Sequence, residues 1–206
     1  MRASGGFLAL CWGLPLTLVL FMRPGLIALS WRGWLVPSYA LGTLLALYGA
    51  WSLYRSGGND TRWRSWGRQL LAACALQLYF LPWATWWRRQ PFDPYLFMNM
   101  MALACSYLWS LLLCARLAET LAERLGERVM RIEAELCGWC TLLLAVLPLL
   151  GLFLAALSSA LRHGTPVPAE MHHVARMLPA WVQLAPLVPL SLTVNLCWKA
   201  RRKLMS

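Results

Sequence analysis

About six apolar helices crossing a bilayer, an all-α polytopic transmembrane bundle making a single domain over residues 1–206, are what this sequence predicts. Three observations carry that reading. The chain is 60% hydrophobic and 13% charged, where an average soluble domain is roughly 25% charged, so it lacks the polar residues to cover itself. Its apolar residues come in long blocks, not at the spacing of three and four that leaves a water-soluble helix one polar face. Its 19 basic residues, set against 8 acidic ones, collect between alternate blocks.

A helix rises about 1.5 Å per residue, so roughly 20 apolar residues span the ~30 Å hydrocarbon core of a bilayer. Blocks of that length are Ala3–Met22, Leu35–Tyr54, Gln69–Trp87, Tyr95–Ala115, Leu136–Leu161 and Met177–Trp198. Lipid offers no partner to a backbone amide, and the blocks lack the period-two alternation of a transmembrane barrel, so each is expected to be helical. The first block follows Arg2 as a signal peptide would. Phe21-Met22-Arg23-Pro24 stands where the small residues of a cleavage site belong, however, so a retained helix is expected.

Ser56-Gly57-Gly58-Asn59-Asp60 reads as a turn, and Arg62-Trp63-Arg64-Ser65-Trp66 as an interfacial anchor leading into the third helix. Pro82, Pro148, Pro186 and Pro189 are expected to kink the later spans. Arg116–Glu135 carries five of the eight acidic residues and no proline, which predicts a cytoplasmic amphipathic helix between spans four and five. Leu117, Leu121, Leu125, Val129, Ile132 and Leu136 form its apolar stripe, with Glu127 and Arg131 as an i,i+4 pair. This helix either extends the fourth span and packs on its own bundle or docks another subunit. Thr165-Pro166-Val167-Pro168, within the second long connection Arg162–Arg176, predicts an extended outer loop.

Basic residues flanking spans stay on the cytoplasmic side, and this fixes the orientation. With both termini inside, the cytoplasmic segments hold Arg2, Arg55, Arg62, Arg64, Arg68, Arg116, Arg124, Arg128, Arg131, Lys199, Arg201, Arg202 and Lys203. The outer segments hold the remainder: Arg23, Arg32, Arg88, Arg89, Arg162 and Arg176. Tryptophan, amphipathic and drawn to the headgroup level, gives an outer belt of Trp31, Trp34, Trp83, Trp86, Trp87 and Trp181 and an inner one of Trp63, Trp66, Trp139 and Trp198. Trp12, Trp51 and Trp109 fall outside both belts and are expected to pack internally. The location predicted is the plasma membrane, which in a bacterium is the inner membrane. The net charge of +11 is then topology and attraction to anionic lipid, with no nucleic-acid partner expected.

Few residues point to chemistry. Cys137-Gly138-Trp139-Cys140 has the spacing of a dithiol redox pair, yet it lies at the cytoplasmic mouth of the fifth span, where a reducing compartment favours a packing role. His163, Glu170, His172 and His173 carry metal-ligating groups without the i,i+4 spacing of a helical metal site. The spans contain no Asp, Glu, Lys or His at depth, which excludes the usual means of proton coupling or voltage sensing. Gln77, Asn99, Gln183 and Asn195 are the intramembrane amides that either bond helix to helix or line a path for a neutral solute.

Small residues recur every fourth position in three rows: Ser38, Gly42, Ala46 and Ala50; Ala102, Ser106, Ser110 and Cys114; Gly151, Ala155 and Ser159. Such rows let helix backbones approach in lipid, within a protomer or between subunits. No nucleotide, hydrolase or metalloprotease motif occurs, and no cofactor is expected. A non-enzymatic membrane subunit that anchors or regulates a partner, or forms a homo-oligomer, is the leading expectation. The alternatives are a small-solute or lipid transporter and a thiol oxidoreductase using Cys137 and Cys140.

The orientation is testable in a background lacking native cysteines. Single cysteines at Gly58 and Ser206 should be shielded in intact cells from an impermeant thiol reagent, and one at Thr165 should react. Labelling at Gly58 would reverse the map.

Overall fold

The computed structural model describes residues 2–22, 29–31, 34–36, 39–58, 60–87, 89–179 and 184–205. Gln183, Ser38, Arg23, Arg32, Arg88 and Trp181 lie outside the described residues, as does Ser206. Among the described residues the architecture is α-helical but for one short hairpin, in which β1 (Leu29–Trp31) pairs antiparallel with β2 (Trp34–Val36), Leu29 opposite Val36. The fold class is all-α, as expected. The second helix begins later than expected, since Leu35 and Val36 belong to β2.

α1 (Arg2–Met22) and α2 (Tyr39–Ser56) pack closely because glycines meet at their seam. A Cβ on Gly13 would stand 2.6 Å from the Ala46 nitrogen, and one on Gly49 2.8 Å from the Gly6 carbonyl. Gly42, Ala46 and Ala50 are all buried here, so this row of small residues works within the chain. α3 (Thr61–Trp87) follows a tight turn and contains Pro82.

α4 (Pro94–Leu125) starts at Asp93, whose carboxylate accepts from the Leu96 N–H at 2.9 Å, with Pro94 in the first turn, where no amide hydrogen is needed. It stops at Gly126, which takes the left-handed conformation (φ 68°) of a helix C-cap. One continuous helical segment then runs Arg128–His163. It comprises α5 (Arg128–Thr141), a π-helical turn Leu142–Val146 and α6 (Leu147–His163). Pro148 has no N–H to give the preceding turn and its ring crowds the carbonyl four residues back. The wider π turn, in which the Leu147 N–H reaches the Leu142 carbonyl, accommodates it directly upstream. The π turn thus directly precedes Pro148, where a kink is expected.

α7 (Val167–Met177) corrects the expected extended loop. Pro168 falls in its first turn, where proline is tolerated, and Glu170 in that same turn favours a helix N-terminus. α8 (Leu187–Lys203) is 17 residues long and starts ten positions after the Met177 expected from the apolar block. The core gathers α1, α2, α3, α4, α5 and α8 around Phe7, Leu14, Leu53, Trp63, Leu117 and Cys197, all buried. α6 stands apart, packing mainly on α7 and the π turn. Two described helices, Pro94–Leu125 and Arg128–His163, are long and apolar enough to cross a membrane, and Ala3–Val19 is apolar but shorter.

Trp63 was expected at an interface and is instead 2% exposed in the core. Trp12, Trp51 and Trp109 were expected to pack internally and are instead among the exposed aromatic side chains. A helix sum of apolar residues cannot distinguish inward from outward aromatics when both environments are apolar.

Glycine at the α1–α2 seam is required sterically. Gly42→Val places side-chain atoms against the Thr17 backbone, an overpacking that costs about 1–3 kcal/mol or more. A lower melting temperature or reduced accumulation is expected, with Gly5→Val, in open space, as the unaffected control.

Candidate functional site

Charge gathers at one end of the bundle. Asp60 accepts from the backbone N–H groups of Arg62 (2.8 Å) and Trp63 (3.0 Å), capping α3. Its other oxygen accepts from Arg124 near the end of α4 (Nε, 3.0 Å, and a second, shorter bond from Nη2). The Trp63 amide first, and Arg124 next, hold the Asp60 carboxyl below its ordinary pKa. The Arg124 guanidinium also lies over the Trp63 ring, 4.7 Å from its centroid.

Four glutamates of the α4–α5 hairpin pair with basic residues from four helices. Arg62 of α3 meets Glu123 at 3.0 Å, Arg116 meets Glu119 at 2.9 Å, Lys199 meets Glu133 at 2.5 Å, and Lys203 meets Glu127. Arg131 lies 3.9 Å from Glu123, so the expected pair of Glu127 with Arg131 is replaced by tertiary partners. These pairs are exposed and individually weak; their effect is to select which helix ends meet.

The apolar stripe expected over Arg116–Glu135 divides at Gly126. Leu117 and Leu121 are buried in the core, while Leu125, Val129, Ile132 and Leu136 are exposed. The buried face of α5 carries Met130, Ala134, Cys137 and Thr141 instead. The turn at Gly126 changes direction, so the four-and-three spacing continues across it in sequence but not in space. The exposed part goes on through Trp139, Leu143, Leu147, Leu150 and Leu154, one apolar face running onto α6.

Cys137 is buried, its sulfur 3.4 Å from the Thr193 hydroxyl of α8, and Cys140 is half-buried. Both are free thiols. At the opposite end, Glu170 accepts from Ser159 (2.7 Å) and Thr165 (2.8 Å), tying α7 to α6, and these two bonds in that order hold its carboxyl below the usual range. Ser159 also lies 3.3 Å from His163 Nδ1, whereas His172 stacks edge-on against Phe92 and His173 is exposed. Among the described residues no three His, Cys, Asp or Glu side chains gather as a metal-binding group.

Among the described residues the amides Gln77, Asn99 and Asn195 are not brought together. The Asn99 side chain donates to the Tyr95 carbonyl of its own helix at 2.8 Å, and Asn195 is exposed. Of the described amides Gln77 is the fully buried one, on α3, donating from Nε2 to the Ser106 carbonyl of α4 at 3.2 Å. It lines an apolar cavity of about 250 Å³ with Thr17, Tyr107 and Ala145. Sequence reasoning singled out Gln77 but missed Thr17 and Tyr107, which border it. The available signal was the proline at 148, behind the π turn that supplies Ala145.

No protein-family model, curated protein or solved structure matches this chain.

The divided stripe separates two leucines that the sequence treats alike. Leu121→Ser removes a buried side chain worth roughly 1.5–3 kcal/mol and should lower the melting temperature. Leu125→Ser, at a 44% exposed position, should change stability by no more than about 0.5 kcal/mol.

Proposed function

We propose that this chain is a non-enzymatic, six-span subunit of the plasma membrane, the inner membrane in a bacterium, with both termini cytoplasmic and α6 as the face that joins a partner. The observation that carries the reading is the unequal use of the three small-residue rows. Gly42, Ala46 and Ala50 are spent on α1, and Ser106, Ser110 and Cys114 are buried in the core side of α4. Gly151 and Ala155 are exposed on α6, and a Cβ on Gly151 would meet nothing within 4 Å.

The supporting contrast is burial. The most apolar window of Arg128–His163 is 17% buried within the molecule, against 33% for that of Pro94–Leu125. Lipid tails are as apolar as leucine, so exposure alone drives no association there. A small-residue row within an exposed leucine face adds close backbone approach, the feature by which transmembrane helices recognise each other. The partner is a transmembrane helix, from a second copy or from another membrane protein. The charged α4–α5 hairpin, sealed by its ion pairs, then serves to fix the bundle rather than to dock it. A second reading, binding of a small neutral molecule, is favoured by the cavity at Gln77.

The test is association in mild detergent. The unaltered protein should migrate as a complex, either homo-oligomeric or with a stoichiometric partner. Gly151→Leu with Ala155→Leu should release a monomer of unchanged melting temperature, because both positions are open in the isolated fold. A lone, monodisperse unaltered protein would overturn the proposal.

A further inference from the structure

Carboxylates are unevenly distributed along this chain. Residues 1–92 hold nine arginines and one carboxylate, Asp60, which the start of α3 and Arg124 already occupy. Two of those arginines, Arg64 and Arg68, stand one turn apart on α3 and so leave the same face of the helix. Both are exposed, and neither joins an ion pair among the described residues. With Thr61, Ser65 and Tyr54 they line an open cleft of about 350 Å³ between α2 and α3. At the cleft beside Lys199 and Lys203, by contrast, Glu133 and Glu127 already neutralise the lysines. The α2–α3 cleft offers cations and hydroxyls with no carboxylate in its wall.

Glycine shapes this cleft. A Cβ on Gly67 would stand 3.0 Å from the Tyr54 Cα, so α3 lies close against α2 beside it. A Cβ on Gly57 would stand 3.0 Å from Arg64 Cγ, so the turn leaves space for the arginine stem. Two guanidinium groups a helical turn apart, with hydroxyl donors alongside, suit a phosphate diester. Its non-bridging oxygens accept charge-assisted bonds, and the planar fork of arginine matches them two at a time.

The surface beyond the cleft selects the kind of phosphate. From Arg68 the exposed row of α3 continues through Ala72, Leu76 and Tyr79, and α2 exposes Trp51, Tyr48 and Leu44. A free phosphate gains nothing from such surface, whereas a phospholipid with its headgroup in the cleft lays its acyl chains along it. The Arg55 guanidinium lies over the Trp51 ring, 4.6 Å from its centroid, the pairing expected where charge gives way to hydrocarbon. A net negative headgroup is required, because a choline would set its own cation against Arg64 and Arg68.

We propose that the α2–α3 cleft binds one anionic phospholipid, of the phosphatidylglycerol class, with its phosphate held by Arg64 and Arg68. The site requires the bundle to be inserted in a membrane, as proposed above, and is independent of the α6 face.

The full chain in mild detergent is titrated with dioleoyl phosphatidylglycerol, dioleoyl phosphatidylcholine or inorganic phosphate, and bound adducts are counted by native mass spectrometry. One phosphatidylglycerol per chain is expected to saturate first, about tenfold tighter than phosphatidylcholine, and excess inorganic phosphate should not displace it. Arg64→Gln with Arg68→Gln, at exposed positions, should remove the preference at unchanged melting temperature. Arg201→Gln with Arg202→Gln, in the C-terminal basic run, should keep it. Equal binding of the two lipids by the unaltered protein would overturn the proposal, as would displacement by inorganic phosphate. A preference that survives loss of Arg64 and Arg68, or that falls equally with Arg201 and Arg202, would do the same. Membrane insertion is read separately: a chain recovered without detergent in the soluble fraction contradicts insertion itself, whereas a membrane-bound chain indifferent to the two lipids contradicts this site alone.

Discussion

Asp60 connects four helices through one side chain. It caps α3 by accepting from two backbone amides and anchors Arg124 at the end of α4. Arg124 covers Trp63, whose indole N–H donates to the Leu53 carbonyl in α2 at 2.8 Å and whose ring meets Phe7 of α1 edge-on at 6.3 Å. A helix cap and an ion pair thus meet on one carboxylate, beside a cation–π contact and a buried aromatic cluster. Lys199 and Lys203 extend the same logic to α8 by pairing with Glu133 and Glu127 of α5. In a chain with 19 basic residues and 8 acidic ones, the position of each carboxylate decides which helix ends are drawn together.

Length explains why the charge sits where it does. α4 has 32 residues and the following helical segment 36, about 48 and 54 Å at 1.5 Å per residue, against roughly 30 Å of hydrocarbon. Under the proposed insertion the excess projects on one side as the α4–α5 hairpin, turned at Gly126. That projection holds all five glutamates between Arg116 and Glu135, four of them paired. The apolar remainder of the second segment, α6, is left with little protein around it, which is what makes its row of small residues available.

Helical composition was legible from block length and the absence of period-two alternation; the start of α4 lies at Pro94, one residue before the Tyr95 expected from the apolar block, because Asp93 caps it. Direction was not legible. Leu121 and Leu125 fit one stripe in sequence, yet the first is buried and the second exposed because Gly126 reverses the chain immediately afterwards. Trp63 looked interfacial from its arginine neighbours; its burial follows from Arg124 and Phe7, which are distant in sequence. Pro168 looked like a loop residue because proline signals only that a helix does not continue through it, not that one does not begin there. At the candidate site, Gln77 was visible as a polar residue in an apolar block. The cavity beside it was not, since a void is a property of five packed segments and not of any one of them.

The dependence on Asp60 is tested most directly by a double-mutant cycle of Asp60→Ala and Arg124→Ala, followed by thermal unfolding in detergent at neutral and acidic pH. Asp60→Asn keeps a capping acceptor without charge and separates the two roles. Because the folded-state pKa of Asp60 is depressed, its stabilising contribution is present above the ordinary carboxylate range and is lost as pH falls through the folded value. The expected result is a clear loss of stability for Asp60→Ala, a smaller loss for Asp60→Asn, non-additivity with Arg124→Ala, and convergence of Asp60→Asn with the unaltered protein at low pH, where both present a neutral capping acceptor. Additive effects, or an Asp60→Ala protein as stable as the unaltered one at neutral pH, would contradict the central place given to this carboxylate.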